Sequence, residues 1–458
     1  MSPPARARTA TLVFLVGLYC AWLSSGPFPW LAAYHGARSP EDFTRDFIAA
    51  QALARGERLS TLDGPRGNAE AVRAGANPVN IVHGSPFHLH PPPASLPMRL
   101  LVPLGFRNAS IFWLGLSVLL LGVLARLLVD AVARVAGGAP VSATSLFLLL
   151  VVWPPALTNF QLGQWSIVLA TLLAAGFADW ETRRESRGAA WLAMAAALKL
   201  TPAAMFPFVA LRDRRAAAVY LAVVGAALAA ALPLGGGLDA WRAFARDAGT
   251  NAFHWQTWWH NTLSIQGFLA RLFVGAHFAR PLVEAPWLAR ILWVAAAAAL
   301  CLTALAATRD TGRPRGPACD GCVFSLWNIL VVVLNPLAWA HYGLVLLLPA
   351  ALVLRAADEP GSPLPHATRA RLRAAVAVAV VALSVPKETA YMIARPLPSS
   401  PATAPLLSLH LFAALLLFAA AAFATRAFRR AEASAHAATP AHATAPAHAT
   451  KLAELVRP

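Results

Sequence analysis

The sequence predicts an all-α polytopic membrane protein, and three observations predict it. Of its 458 residues, 58% are hydrophobic and only 13% charged, whereas a soluble globular chain carries about 25% charged residues. The hydrophobic residues gather into runs at 111–125, 146–153, 216–232, 291–308 and 406–425. These runs offer water no polar face, and several approach the roughly 20 residues that cross a bilayer core. Arginines collect between the runs, so the formal charge of +17 follows the positive-inside rule of membrane proteins rather than the pattern of a nucleic-acid binder. No nucleic-acid partner is expected.

The first apolar run, residues 11–23, follows Arg6 and Arg8. Ser24-Ser25-Gly26 offers only a loose match to the small-residue cleavage site of a secretory signal, so the run is expected to remain as an uncleaved first span. With the amino terminus inside, the clusters around Arg126 and Arg134, Arg183 to Arg187, Arg309 to Arg315, Arg369 to Arg373 and Arg426 to Arg430 all fall in the cytoplasm. Residues 188–211 are the exception, because Arg212, Arg214 and Arg215 follow them directly. One crossing there would strand a cluster outside. Lys199-Leu200-Thr201-Pro202 lies within that segment, and its proline breaks the helical ladder beside an intramembrane lysine. Two half-length helices meeting at the break return both clusters to one side. Broken backbone is tolerated at that depth only where it lines a cavity.

About ten full spans result, with both termini inside and residues 1–429 forming one membrane domain. The large polar segments 26–108 and 235–286 then face outward, and residues 430–458, with their Ala-His-Ala-Thr repeats, have the composition of a disordered cytoplasmic tail. Cys319 and Cys322 lack the second ligand pair of a zinc site.

Polar clusters mark the outward turns. Asp42 and Asp46 precede an alanine-rich stretch that ends at Gly56 and share a face if the helix begins early. They suit either an N-terminal capping or dipole-complementing pair or a general base toward a hydroxyl. His88-Leu89-His90-Pro91-Pro92-Pro93 fixes an extended approach to the next apolar stretch. Gly163-Gln164-Trp165 forms a short turn, and Asn261-Thr262-Leu263-Ser264 and Asn335 to Tyr342 form later ones. His341 suits a proton carrier, a phosphate partner or a hydrogen-bonded interface histidine. Trp255, Trp258, Trp259 and Trp339 suit an interfacial belt.

Taken in order, these clusters resemble glycosyltransferase family 87. Asp42-Phe43, the alanine-rich helix and a glycine about fourteen residues later match its opening, with Asp46-Phe47 a second Asp-Phe pair at shorter spacing. His90-Pro91-Pro92, Gly163-Gln164, Lys199-Leu200-Thr201-Pro202, the Asn261 region with Arg271-Leu272, and Pro336 to His341-Tyr342 match the rest. Asn335 and Ala338 stand where relatives commonly carry serine.

The resemblance implies a C-type glycosyltransferase architecture in which outer-loop juxtamembrane helices roof a cavity at the extracytoplasmic face of the cell membrane. It implies a polyprenyl-phosphate-linked sugar donor, with mannose the familiar sugar, and a lipid or glycan acceptor. Asp42, or alternatively Asp46, would be the base; Lys199 and His341 would hold the departing phosphate; His90, Gln164 and Asn261 would line the donor or acceptor pocket. With no Asp-rich metal motif, no metal or cofactor is expected. A transporter or flippase of a lipid-linked substrate also accommodates a broken helix carrying lysine, but the Lys199 break has no counterpart in the second half of the chain. A polymerase or ligase of surface polysaccharides is the second rival.

Overall fold

The computed structural model describes residues 40–59, 62, 64–76, 90–136, 141–255, 263–275, 279–309, 316–394, 396 and 403–438. The expected first span at 11–23 and the site candidate Asn261 lie outside them. The described residues are organised by helices, with no β-strand among them.

Helix α1 (Glu41–Ala54) and α2 (Gly64–Arg73) precede the long α3 (Gly105–Ala136). The chain then turns through α4 (Ala143–Val151), α5 (Pro154–Leu162), α6 (Ser166–Glu181) and α7 (Glu185–Leu198). A 3-10 turn (Thr201–Met205) and α8 (Phe206–Ala210) follow, then α9 (Arg214–Leu234), α10 (Gly237–Trp255), α11 (Ile265–Phe273), α12 (Pro286–Arg309) and α13 (Pro317–Val333). A second 3-10 segment (Ala340–Leu346) leads into α14 (Leu347–Asp358). The remaining helices are α15 (His366–Leu383), α16 (Lys387–Ala394) and α17 (Leu409–Ala438). Helix α17 runs unbroken through Arg430, so helical structure extends into the segment expected to be tail.

Five helical stretches are long and apolar enough to cross a membrane, or six if α4 and α5, bent by 61° at their junction, count as one. The expected count of about ten is not reached by that criterion. Helices α6 and α13 are short, at 16 and 17 residues, and α15 opens with three arginines. The exterior agrees with a bilayer environment. Only 11% of the most apolar window of α9 and 17% of that of α12 is buried, against 83% for the stretch Ala340–Asp358. Leu221, Ile291, Val294, Leu302 and Val381 are among the large apolar side chains left exposed, an arrangement suited to hydrocarbon as solvent.

One end of the bundle is stitched by ion pairs. Glu181 at the end of α6 meets both Arg134 of α3, at 3.3 Å, and the fully buried Arg355 of α14. Asp179 pairs with Arg187 at the start of α7, and Arg212 reaches Asp320 of α13 at 2.9 Å. The arginine clusters beside 188–211 therefore share this end, as the sequence requires. The hairpin that brings them back is visible in its rings. Helix α7 stops at Leu198, and Lys199 adopts an extended conformation. The chain then returns until Phe208 of α8 packs on Trp180 at 4.9 Å between centroids, beside the start of α7.

The opposite end gathers the turns. Its pivot is Gly163, which ends α5 in the left-handed conformation at φ +67°. A Cβ there would lie 2.5 Å from the Cβ of Phe43 in α1, well inside contact distance, and left-handed backbone is itself unfavourable for residues with a Cβ. The Gly163 carbonyl accepts a 3.0 Å hydrogen bond from the Trp113 indole, which fixes the turn to α3.

Two stability measurements follow. Glu181→Gln leaves the buried Arg355 guanidinium without its counter-charge, a change that costs about 3–5 kcal/mol and lowers Tm in detergent; the double variant with Arg355→Met recovers most of the loss. Gly163→Ala is expected to cost about 2 kcal/mol or more through backbone strain and overpacking, again read as Tm, whereas Gly122→Ala, where the nearest side-chain atom lies at 3.8 Å, stays close to wild type.

Candidate active site

Three consecutive residues after Gly163 each take hold of one candidate group. The Gln164 amide nitrogen donates to Oδ2 of Asp42. The Trp165 indole donates to Oδ2 of Asp46 at 2.8 Å. Ser166 Oγ lies 2.7 Å from His341 Nδ1. One tight turn thus brings α1, the hairpin tip and the 3-10 segment before α14 together.

Asp42 and Asp46 lie one helical turn apart on α1 and face this turn together. Neither caps the helix, since the N-cap residue is Pro40 and makes no side-chain cap, while the Thr44 hydroxyl donates to the Pro40 carbonyl; Asp42, in the first turn, still complements the helix dipole. Their surroundings differ. Both oxygens of Asp46 are occupied, Oδ2 by Trp165 and Oδ1 by His90 Nδ1 at 2.8 Å. Asp42 is nearly fully buried. It accepts from Gln164 through Oδ2, while its Oδ1 has the Arg45 guanidinium at 3.7 Å, beyond hydrogen-bond length. Arg45 is held by Glu41 one turn earlier, so the positive charge beside Asp42 is fixed.

Lys199 stands at the hairpin break. Its ammonium lies 3.5 Å from Gln164 Oε1 and 4.8 Å from the centroid of the Tyr342 ring, a distance at which a cation is attracted by the ring face. His341 stacks on the same ring at 4.9 Å. Gln164 therefore links the carboxylate of Asp42 to the ammonium of Lys199, and Tyr342 links Lys199 to His341. Among the described residues the buried Tyr342 hydroxyl has no hydrogen-bond partner, a donor left over for a ligand.

A shallow cleft, partly open to solvent, adjoins the cluster and is lined by Asp46, His90, Pro91, Ser95, Ala240 and Phe244. It lies between α1, the Pro-Pro turn and the amphipathic α10. Polar hydrogen-bonding groups beside an aromatic ring suit a polyhydroxylated ligand. Of the sequence candidates, Asp42, Asp46, His90, Gln164, Lys199 and His341 come together, while Asn261 lies outside the described residues. Trp165, Ser166 and Tyr342 are site members that their types alone did not single out. Adjacency to the Gly163-Gln164 turn and to His341 was the available signal.

The charge-bearing groups form one connected network, in which a base-capable carboxylate faces a cation across a single glutamine. Such an arrangement can remove a proton at one side and receive a developing negative charge at the other. Among the described residues, no three His, Cys, Asp or Glu side chains converge as a metal site would require. No curated protein and no solved structure matches the chain. The model of glycosyltransferase family 87 matches residues 87–326, just over half of the chain. The matched region carries His90, the Gly163 turn with Gln164, and the Lys199 break, while Asp42, Asp46, His341 and Tyr342 lie outside it. The chain belongs to glycosyltransferase family 87.

Proposed function

We propose that this glycosyltransferase moves a hexose, with mannose the first candidate, from a polyprenyl-phosphate donor to a hydroxyl of a lipid or glycan acceptor. The reaction is assigned to the extracytoplasmic face of the cell membrane. The observation that carries this reading is the Asp42–Gln164–Lys199 connection, which couples a buried carboxylate to a cation through one side chain. The arginine-rich opposite end of the bundle supports the orientation through the positive-inside rule.

In the proposed reaction Asp42 takes the proton of the acceptor hydroxyl as its oxygen attacks the anomeric carbon. The new carbon–oxygen bond forms while the bond from that carbon to the phosphate oxygen breaks, and the electron pair leaves with the phosphate. Attack from the opposite side inverts the carbon. Lys199 and His341 meet the phosphate as it gains charge, a contribution that grows in a water-poor site. Asp46 is the weaker candidate for the base because His90 and Trp165 already bind its two oxygens. Its proposed work is to hold His90 at the mouth of the cleft, where His90 and Ser95 contact sugar hydroxyls. Asn261 is assigned to the same pocket on the strength of the family resemblance alone.

The test is transfer of radiolabelled sugar from a panel of polyprenyl-phosphate sugars to membrane acceptors by the purified protein. Asp42→Asn should lower kcat by about 100-fold or more with the donor KM little changed, the scale of a lost general base. Asp46→Asn should cost about tenfold and act chiefly on KM, as lost positioning does. A folded Asp42→Asn protein with full turnover overturns the assignment of the base. Failure of the wild type to transfer from any donor, with acceptors supplied, shifts the reading to transport of a lipid-linked substrate.

A further inference from the structure

Ser166 is the first residue of α6 and is fully buried. Its Oγ lies 2.7 Å from His341 Nδ1, and this is the only hydrogen bond of either side chain among the described residues. Buried hydroxyls elsewhere in the bundle dispose of their proton locally. Thr171, Thr308, Ser325 and Thr425 each donate to the carbonyl four residues earlier, the usual habit of a serine or threonine inside a helix. Ser166 stands where its helix has only begun, just after the left-handed turn at Gly163. Its hydroxyl turns to the imidazole instead.

Counting protons across this bond fixes the tautomer. An imidazole with its proton on Nδ1 would donate to Ser166 and leave the serine O–H without an acceptor, and an imidazolium would do the same. A buried donor left unsatisfied is costly. With Ser166 as donor and Nδ1 as acceptor both groups are matched, and the ring is neutral with its proton on Nε2. Both partners are fixed in place. The Trp165 indole is tied to Asp46 and packs edge-on against Trp113 at 4.7 Å, while the Ile167 amide donates to Asn159 Oδ1 at 3.4 Å. The His341 ring stacks on Tyr342. Gly343 beyond it lies so close to α5 that a Cβ there would sit 3.0 Å from Pro155 Cγ.

We propose that Ser166 is a positioning residue for sugar transfer: it holds His341 neutral and leaves Nε2–H as the hydrogen-bond donor offered to the departing phosphate. The inference rests on the transferase reading for the identity of that phosphate. His341 and Lys199 share the Tyr342 ring, so a neutral donor stands beside a cation. Lys199 supplies positive charge, while His341 adds a hydrogen bond and gives up no proton. The phosphate leaves as its anion, and the proton of the acceptor hydroxyl stays with Asp42. Of the three roles that its sequence context allows His341, that of proton carrier is thereby removed.

The test is heavy-nitrogen NMR of the full-length protein in detergent, labelled at histidine, with the His341 signals assigned by their loss in His341→Gln. Wild type is expected to show the Nε2–H tautomer at neutral pH. In Ser166→Ala that pattern should give way to the Nδ1–H form or to an exchanging mixture. Its kcat should fall about tenfold, the scale of one hydrogen bond, with the donor KM little changed. His341→Gln, whose amide can donate in place of Nε2–H but cannot carry a proton, should keep turnover within about tenfold of wild type. An Nδ1–H or doubly protonated His341 in wild type overturns the proposal, as does a Ser166→Ala protein with unchanged tautomer or unchanged kcat. Loss of all transfer in a folded His341→Gln protein would make His341 a proton carrier and overturns it too. The transferase reading fails separately: a Ser166-dependent Nε2–H tautomer in a wild type that transfers no sugar from any donor removes that reading and leaves the hydrogen-bond assignment. Normal transfer with a Ser166-independent tautomer removes this inference alone.

Discussion

The site depends on how closely α5 approaches α1. Gly163 lies against Phe43 with no room for a methyl group, and this contact sets the distance between the helix that carries Asp42 and Asp46 and the turn that holds them. Phe43 is in turn packed on Phe47, Phe106 and Trp113. The aromatic cluster therefore fixes α1 against α3 while Trp113 fixes the Gly163 carbonyl. Dispersion in a dense core is unforgiving of small displacements. A shift of α1 by even part of an ångström would be felt at Asp42, at Asp46 and, through Gln164, at Lys199.

The two ends of the bundle divide stability from chemistry. At the arginine-rich end, carboxylates and guanidiniums are matched between helices both adjacent and remote in sequence, and their pairing holds α3, α6, α7, α13 and α14 in register. At the other end the polar groups are joined mainly by hydrogen bonds and ring contacts; Arg45, paired with Glu41, stands beside Asp42, while Lys199 is separated from Asp42 by a neutral side chain. A direct Lys–Asp ion pair there would satisfy both groups and blunt each for reaction. Gln164 keeps them near one another without that neutralisation.

Much of this was legible in the sequence, for identifiable reasons. The break at Lys199 announced itself because Pro202 cannot continue a helix and because two arginine clusters had to share a side. The helix of Asp42 and the glycine that follows it were plain in the alanine-rich run ending at Gly56, which takes φ +75°. Gly163-Gln164 was recognisable as a turn, but the partners of Trp165 and Ser166 were not. Those contacts join residues 119 and 175 positions apart, and no local periodicity reports such distances. The pairing of Arg355 with Glu181 was hidden for the same reason. Span counting was harder still, because α6 and α13 have fewer residues than a free-standing transmembrane helix would use.

The hairpin of α7 and α8 has a mechanical consequence. Both of its legs are clamped at the base, one through Arg187 on Asp179 and the other through Arg212 on Asp320. Its tip, where Lys199 is extended and Thr201–Met205 is wound as a 3-10 turn, lacks the regular hydrogen-bond ladder that stiffens an α-helix. Packing takes the place of that ladder: Pro202 and Met205 of the turn are buried, and Lys199 rests on Tyr342 and beside Gln164. The hairpin is thus a strut mounted at its base and wedged at its far end, and its ammonium is carried where neighbouring side chains, not backbone hydrogen bonds, set its position.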